Sequence, residues 1–364
     1  MATIQKIANC FRTVLKKVLE AFFLFLMTRL GVQKTHAGSS NIKSLVIPLF
    51  AGIGDAVLIS AALTAIISKY KHASVTILAS SRTKEILEET VNCAEIRISG
   101  SIWHHCLEKH RCDMFISPSR NIYHYIVAIS LRCRIFVGYN YSLKIQKGES
   151  HLDRIAALSK QLGLNDIGLP LIRLSPDTLK NTTHLISKYR IHPSIPIIAI
   201  IAGGRWRTKQ LPVSLYEELI HQLNQEYRLN ILIIGSAWPP ADGIAERFNN
   251  VYSLCGKTTL KQALGLMAHS EMVVGPDGGL INSAMAMHIP FVALFGPVSP
   301  ESIMPHEYMD NVLYIKKCRY QPCYNEEHQP ICPYDEPLCM AHSVNSVMEK
   351  IGRILSKSKN SLKK

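Results

Sequence analysis

The chain has 364 residues, 47% of them hydrophobic and 19% charged, with a formal net charge of +14. That length holds one large or two medium domains, and the composition excludes a disordered chain. The excess of Lys and Arg calls for an acidic partner, and no stretch interleaves aromatic with basic residues or carries a zinc-finger or RNA-recognition signature. An anionic membrane surface or a phosphorylated substrate is therefore expected, and nucleic acid is not.

The first forty residues predict an amphipathic helix. Ile4, Ile7, Phe11, Val14, Leu15, Val18, Phe22 and Phe25 recur at helical spacing, with Lys6, Arg12, Lys16 and Lys17 between them. The unbroken apolar run, Ala21 to Met27, is seven residues long and flanked by Glu20 and Arg29, against the roughly 20 residues a membrane span needs. Three readings remain: a helix lying in the membrane interface, a helix packed on the protein's own body, or a cleaved signal peptide ending at "THA" before Gly38. The first is the expectation, and "THAGSSN" reads as a linker.

The body reads as two strand–helix arrays. "SLVIPLF" (44–50) runs into "AGIGDAV" and then the helical "LISAALTAIISKY". "SVTILAS" (74–80), "CDMFISPS" (112–119) and "CRIFVGY" (133–139) are later strands, and 151–164 is a helix ending near Gly163. Residues 165–195 are broken by Pro and Gly, as an interdomain link would be. "IPIIAIIAGG" (195–204), "NILIIGS" (230–236), "VYSLCG" (251–256), "SEMVVGPDGG" (270–279) and "PFVALFGP" (290–297) form the second array. Strand, glycine turn and helix in repetition predict an α/β fold of two Rossmann-like domains facing a central cleft, with ligands at the carboxyl ends of the strands. The expected division is 1–40 for the N-terminal segment, 41–175 for an acceptor domain and 176–364 for a donor domain.

Three strand-to-helix corners carry chemistry. At the first, Gly52 and Gly54 permit close backbone approach, and Asp55 stands at the helix start, either as its N-cap or as a general base. At the second, "AGGRWRTKQLP" (202–212) offers the amides of Gly203 and Gly204 and three cations, Arg205, Arg207 and Lys209. That suits phosphate, although a solvated basic loop has the same composition. At the third, "GPDGGLINSAMAM" (275–287) places Asp277, Gly278 and Gly279 before a helix whose N-terminus suits phosphate oxygens. Asp277 there suits a sugar hydroxyl or orders the turn.

Together, "GIGDAVLISAAL", "GGRWRTKQLP" and "DGGLINSAMAMHIPFVALFGPVSP" resemble the motifs of glycosyltransferase family 9, the heptosyltransferases, in order and spacing across roughly residues 43–350. The resemblance implies a GT-B fold and transfer of a heptose, typically from ADP-heptose, to a lipopolysaccharide core acceptor. It further implies inversion at the anomeric carbon, with no metal or other cofactor. By position, Asp55 is then the base that deprotonates the acceptor hydroxyl. Lys209 meets the donor diphosphate, with Gly204 and Arg205 beside it. Asp277 and Gly279 contact donor sugar and phosphate, and Thr258 falls in the nucleotide-contacting segment. Four positions depart from the family pattern: Gly278 replaces a Thr, Asn282 a His, Ala61 a Pro and Leu211 a Trp. Asn282 keeps a hydrogen-bond donor but carries no charge. These departures leave open another donor or acceptor, or a nucleotide-sugar binder without activity. The implied setting is cytoplasmic and peripheral on the inner membrane.

Cys318, Cys323, Cys332 and Cys339 are separated by four, eight and six residues, unlike the paired CxxC pattern of common zinc sites. Some family members carry a similar cysteine-rich segment, and it reads either as a structural metal site, with His328 a possible further ligand, or as free thiols. An amphipathic helix, "SVNSVMEKIGRIL", and a basic tail follow.

Overall fold

The computed structural model describes residues 2–33, 42–50, 52–91, 95–98, 111–119, 121–139, 149–204, 206–324 and 332–357, the side chains of 2–14 and 357 excepted. Apolar runs such as "IIAIIA" have no polar face, so they persist as strands only where both faces are covered. Two parallel sheets meet that condition. The first contains β1 (Ser44–Leu49), β2 (Ser74–Ala79), β3 (Glu95–Ile98), β4 (Met114–Ser117) and β5 (Ile135–Gly138), in the order β3-β2-β1-β4-β5. The second contains β6 (Ile197–Ala202), β7 (Asn230–Gly235), β8 (Val251–Ser253), β9 (Met272–Pro276), β10 (Phe291–Phe295) and β11 (Val312–Tyr314), in the order β11-β10-β9-β6-β7-β8. Both are doubly wound. The chain begins mid-sheet, runs to one edge and returns to the other side, so the order reverses between β1 and β4 and between β6 and β9.

The helices are α1 (Ala2–Arg29), α2 (Ile53–Leu58), α3 (Ser60–Lys69), α4 (Ser81–Glu88), α5 (Ile122–Ser130), α6 (His151–Gln161), α7 (Pro176–Lys188), α8 (Val213–Glu226), α9 (Pro240–Ala245), α10 (Leu260–Ala268), α11 (Gly279–Ala286) and α12 (Val344–Lys357). Several start where the sequence supplies a capping oxygen. Ser80, Asn121, Ser175 and Thr259 accept the amides of Thr83, Tyr123, Thr178 and Gln262. The helix expected from residue 58 is α3; a shorter helix, α2, precedes it within the stretch read as a glycine turn, with Ile59 between them. The helix α7 lies within the stretch read as a link.

The chain divides into two compact units. One comprises Met1–Ala51, Ala61–Glu149 and Asp153–Gly168. Its core stacks Phe136 on Phe115 at 5.5 Å and on Tyr125 at 5.4 Å. Met27 is buried in that core, with Phe23 and Leu24 packed against it, so α1 is fastened to the body by one face. The residues read above as its apolar stripe, Leu15, Val18, Phe22 and Phe25, are exposed. Just beyond α1, Gln33 bridges the outer edge of β5, donating to Arg134 and accepting from Phe136. Among the described residues no helix is long and apolar enough to cross a membrane.

The other unit comprises Gly52–Ser60, Ser150–Leu152 and Leu169–Lys364. Its core joins β6, β7 and β9 to α8 and α12 through Ile200, Ile233, Val274, Tyr216, Leu219, Val347 and Ile351. The final helix thus buries one apolar face, as its sequence period requires.

Candidate active site

The second unit brings Lys209, Asp277 and the N-terminus of α11 together at the carboxyl ends of β6 and β9, the neighbouring strands at which its order reverses. Asp277 follows β9 directly and is buried. A buried carboxylate needs a partner, and Lys209 supplies it, with Nζ 2.5 Å from Asp277 Oδ2. Lys209 ends a short 3₁₀ turn after β6, and its ammonium also lies 4.8 Å from the centre of the Trp206 ring. The turn is held by Lys209 N–H donating to Trp206 O at 2.9 Å and Gln210 Nε2 donating to Gly204 O at 2.9 Å. The ammonium is therefore held in place by a carboxylate, a ring face and a closed turn.

Arg207 of this loop does not join it. Arg207 turns outward to the backbone oxygen of Asp335 and lies 3.9 Å from its carboxylate. Arg205 lies outside the described residues. Gly203 has φ +73° and Gly204 φ +125°, left-handed conformations that glycine accommodates best. The Gly204 amide is engaged, donating to Ser236 Oγ at 3.0 Å.

The two glycines after Asp277 differ. Gly278 caps α11 with an extended φ of 169°, and a Cβ there would meet nothing nearer than Pro276 O at 3.9 Å. Nothing in the backbone demands glycine at that position. Gly279 is confined, because a Cβ would sit 2.8 Å from Ile53 Cβ and 3.2 Å from Gly54 N. From the opposite side, a Cβ on Gly54 would sit 3.0 Å from Asn282 Nδ2. Gly54 and Gly279 therefore let the first turns of α2 and α11 touch. Their bare backbone serves helix packing. Asn282 is buried at this contact, its Oδ1 without a hydrogen-bond partner.

That contact brings Asp55 to the same place. Asp55 is not the N-cap of α2; Gly52 is, and Asp55 stands three residues later with Oδ2 accepting the Gly52 amide at 3.0 Å. Its other oxygen, Oδ1, faces His151 Nδ1 at 4.0 Å. The Asp55 side chain is 48% exposed, whereas that of Asp277 is 4% exposed. Sequence reasoning missed His151. The only signal was a histidine opening a helix, and nothing in its sequence neighbourhood points to Asp55.

Thr258 is not brought to this group. It follows β8, which is separated from β9 by β6 and β7, or about 14 Å at the usual strand spacing. Its neighbour Thr259 caps α10. Of the C-terminal cysteines, Cys339 is buried and the other three half-buried. Burial pushes the Cys339 thiol up to about 11 and raises Cys323 as well, so both are protonated at neutral pH. Among the described residues no three His, Cys, Asp or Glu side chains gather as a metal site requires. His328 lies outside the described residues.

Comparison with known proteins places the chain in a family. Residues 130–330, more than half of the chain, match the model of glycosyltransferase family 9 (heptosyltransferase). The chain is 29% identical over 178 residues to lipopolysaccharide heptosyltransferase 2 of Salmonella typhimurium, covering 45% of this chain and 51% of that protein. It is 43% identical over 117 residues to lipooligosaccharide heptosyltransferase 2 of Haemophilus influenzae, covering 30% and 34%. It thus spans about half or less of the length of the curated relatives it matches. Among solved structures it resembles a family 9 glycosyl transferase from Veillonella parvula, with a TM-score of 0.71 at 14% identity over 86% of this chain and 97% of that one. It also resembles ADP-heptose lipopolysaccharide heptosyltransferase II of Escherichia coli, with a TM-score of 0.70 at 19% identity over 88% and 100%. At these identities the structural likeness is one of fold, which is GT-B. The chain belongs to glycosyltransferase family 9, the heptosyltransferase family.

Proposed function

We propose that this protein is an inverting glycosyltransferase that moves a heptose or related sugar from a nucleotide-sugar, ADP-heptose first among candidates, to a lipopolysaccharide core-type glycolipid. The observation that carries the reading is the convergence of the Lys209–Asp277 pair, the N-terminus of α11 and the half-exposed Asp55 carboxylate, made possible by the α2–α11 contact. In this mechanism the acceptor hydroxyl oxygen forms a bond to the anomeric carbon while Asp55 takes its proton. The bond from that carbon to the diphosphate breaks and its electron pair leaves with the phosphate oxygen. Lys209 and the first amides of α11 oppose the charge that develops there. Positive charge already fixed in place gives the leaving group its counter-charge without a divalent ion. Gly204 and Arg205 border the donor from the β6 loop, Asp277 and Gly279 from the β9 corner, and Thr258 from the nucleotide end.

Such an acceptor is lipid-anchored, and the proposed setting is the cytoplasmic side of the inner membrane, with the protein bound peripherally to an anionic surface. The test is transfer by the purified protein with ADP-heptose beside UDP-, GDP- and other ADP-sugars, each with and without EDTA. Turnover of ADP-heptose undiminished by EDTA is expected. Turnover of another sugar moves the substrate and keeps the mechanism. Donor binding without turnover, with a lipopolysaccharide core acceptor supplied, would overturn the catalytic reading in favour of a binding protein.

A further inference from the structure

Over its described side chains, from Leu15 onward, the helix α1 has two apolar faces, and the fold uses one of them. Phe23, Leu24 and Met27 pack into the core of the first unit, and Glu20 is turned inward and buried with them. On the opposite side Leu15, Val18, Leu19, Phe22 and Phe25 follow one another at helical spacing, and Leu30 continues the line past the helix end. Phe22 is 56% exposed, Phe25 58% and Val18 59%. These six are nearly half of the thirteen large apolar side chains exposed among the described residues, all within sixteen positions. Scattered exposed leucines need no explanation, but a contiguous line of them does. At 1.5 Å per residue the line is about 22 Å long.

Charge indicates what covers it. The only acid between Leu15 and Leu30 is Glu20, which the core hides. Lys17 and Arg29 are exposed beside the apolar line and Lys16 is half-exposed. The Arg29 guanidinium lies 5.1 Å from the centre of the Phe25 ring, so a cation rides directly on the apolar face. A second copy of α1 laid on this face would set like charges together. A bilayer surface takes the rings and leucines among its acyl chains and the flanking cations among its phosphates, the arrangement that long basic side chains adopt at an interface.

We infer that the outer face of α1, formed by Leu15, Val18, Leu19, Phe22, Phe25 and Leu30, seats the protein on an anionic phospholipid surface, while the inner face is a structural part of the first unit. The inference rests, for its purpose, on the lipid-anchored acceptor proposed above, and its test uses no acceptor. The full chain is floated with phosphatidylcholine vesicles with and without phosphatidylglycerol, at low and high salt. Binding is expected with phosphatidylglycerol, weakening as salt rises. The double variant Phe22→Glu/Phe25→Glu and the triple variant Lys16→Glu/Lys17→Glu/Arg29→Glu each lower it by about tenfold or more. Both keep the wild-type melting temperature and donor turnover, whereas Met27→Ser lowers the melting temperature. A wild-type chain that stays unbound with anionic vesicles overturns the inference, as does a double variant that binds as well as wild type. Dimerisation of wild type, abolished in the double variant and unaccompanied by vesicle binding, overturns it in favour of a second copy. Because turnover is measured separately, failure here leaves the transferase proposal standing, and failure of turnover leaves vesicle binding standing.

Discussion

Asp55 and Asp277 begin from the same sequence context, a carboxylate just after an apolar strand and beside glycines, and they end in opposite environments. Asp277 is buried and closed by Lys209 at 2.5 Å. Asp55 is half-exposed, anchored through one oxygen to Gly52 and open at the other, where His151 stands 4.0 Å away. A base must be able to receive a proton from a ligand, and a carboxylate already enclosed with an ammonium cannot easily do so. The difference supports the proposal that Asp55 takes the proton and that Asp277 holds Lys209 for the donor phosphate. It also shows that a strand-end aspartate is read correctly only with its tertiary partner in view.

The strongest way to break this assignment is Asp55→Asn, which keeps the Gly52 hydrogen bond and removes the proton acceptor. It is expected to lower kcat by about 10²- to 10⁴-fold with an unchanged melting temperature, checked by steady-state kinetics and thermal unfolding. Lys209→Met attacks the other side. It leaves the Asp277 carboxylate buried and unpaired, a loss of about 3 to 5 kcal/mol of folding stability, measurable by denaturant titration. Adding Asp277→Asn to it restores most of that stability and none of the donor affinity; full recovery of both would show that the pair has no part in binding.

Smaller effects sharpen the picture of the corner itself. Gly279→Ala places a methyl against Ile53 and the Gly54 backbone, with an expected loss of about 1 to 3 kcal/mol and a fall in turnover as α2 is pushed from α11. Gly278→Thr, one residue away, meets open space and gives α11 the side-chain cap it lacks. It is expected to gain on the order of 0.3 kcal/mol. If these neighbouring substitutions unfold at the same temperature, the packing account of Gly279 is wrong.

What was legible in the sequence follows the same division between local and distant causes. β1, β6, β7, β9 and β10 announce themselves because a parallel strand covered on both faces is apolar throughout. β3, "EIRI", and β11, "VLY", went unseen: each is an edge strand paired on one side, short and incompletely buried. The candidate residues Asp55, Lys209, Asp277 and Asn282 were visible from corner chemistry and family resemblance. The Lys209–Asp277 pair spans 68 positions, and no local pattern encodes it or the approach of His151 to Asp55. Gly54 was read as a place of close backbone approach, and Gly279 and Asn282 of another helix lie against it. In α1 the exposed stripe was legible, while the packing face was hidden within the continuous run Ala21 to Met27.

The most direct test of the division of labour is to measure donor affinity and single-turnover transfer side by side for Asp55→Asn and Asp277→Asn, using whichever donor the wild-type protein turns over. The account predicts that Asp55→Asn binds donor as wild type does and fails in transfer, while Asp277→Asn loses donor affinity. Transfer by Asp55→Asn at the wild-type rate, or an equal loss of affinity in both variants, would contradict it.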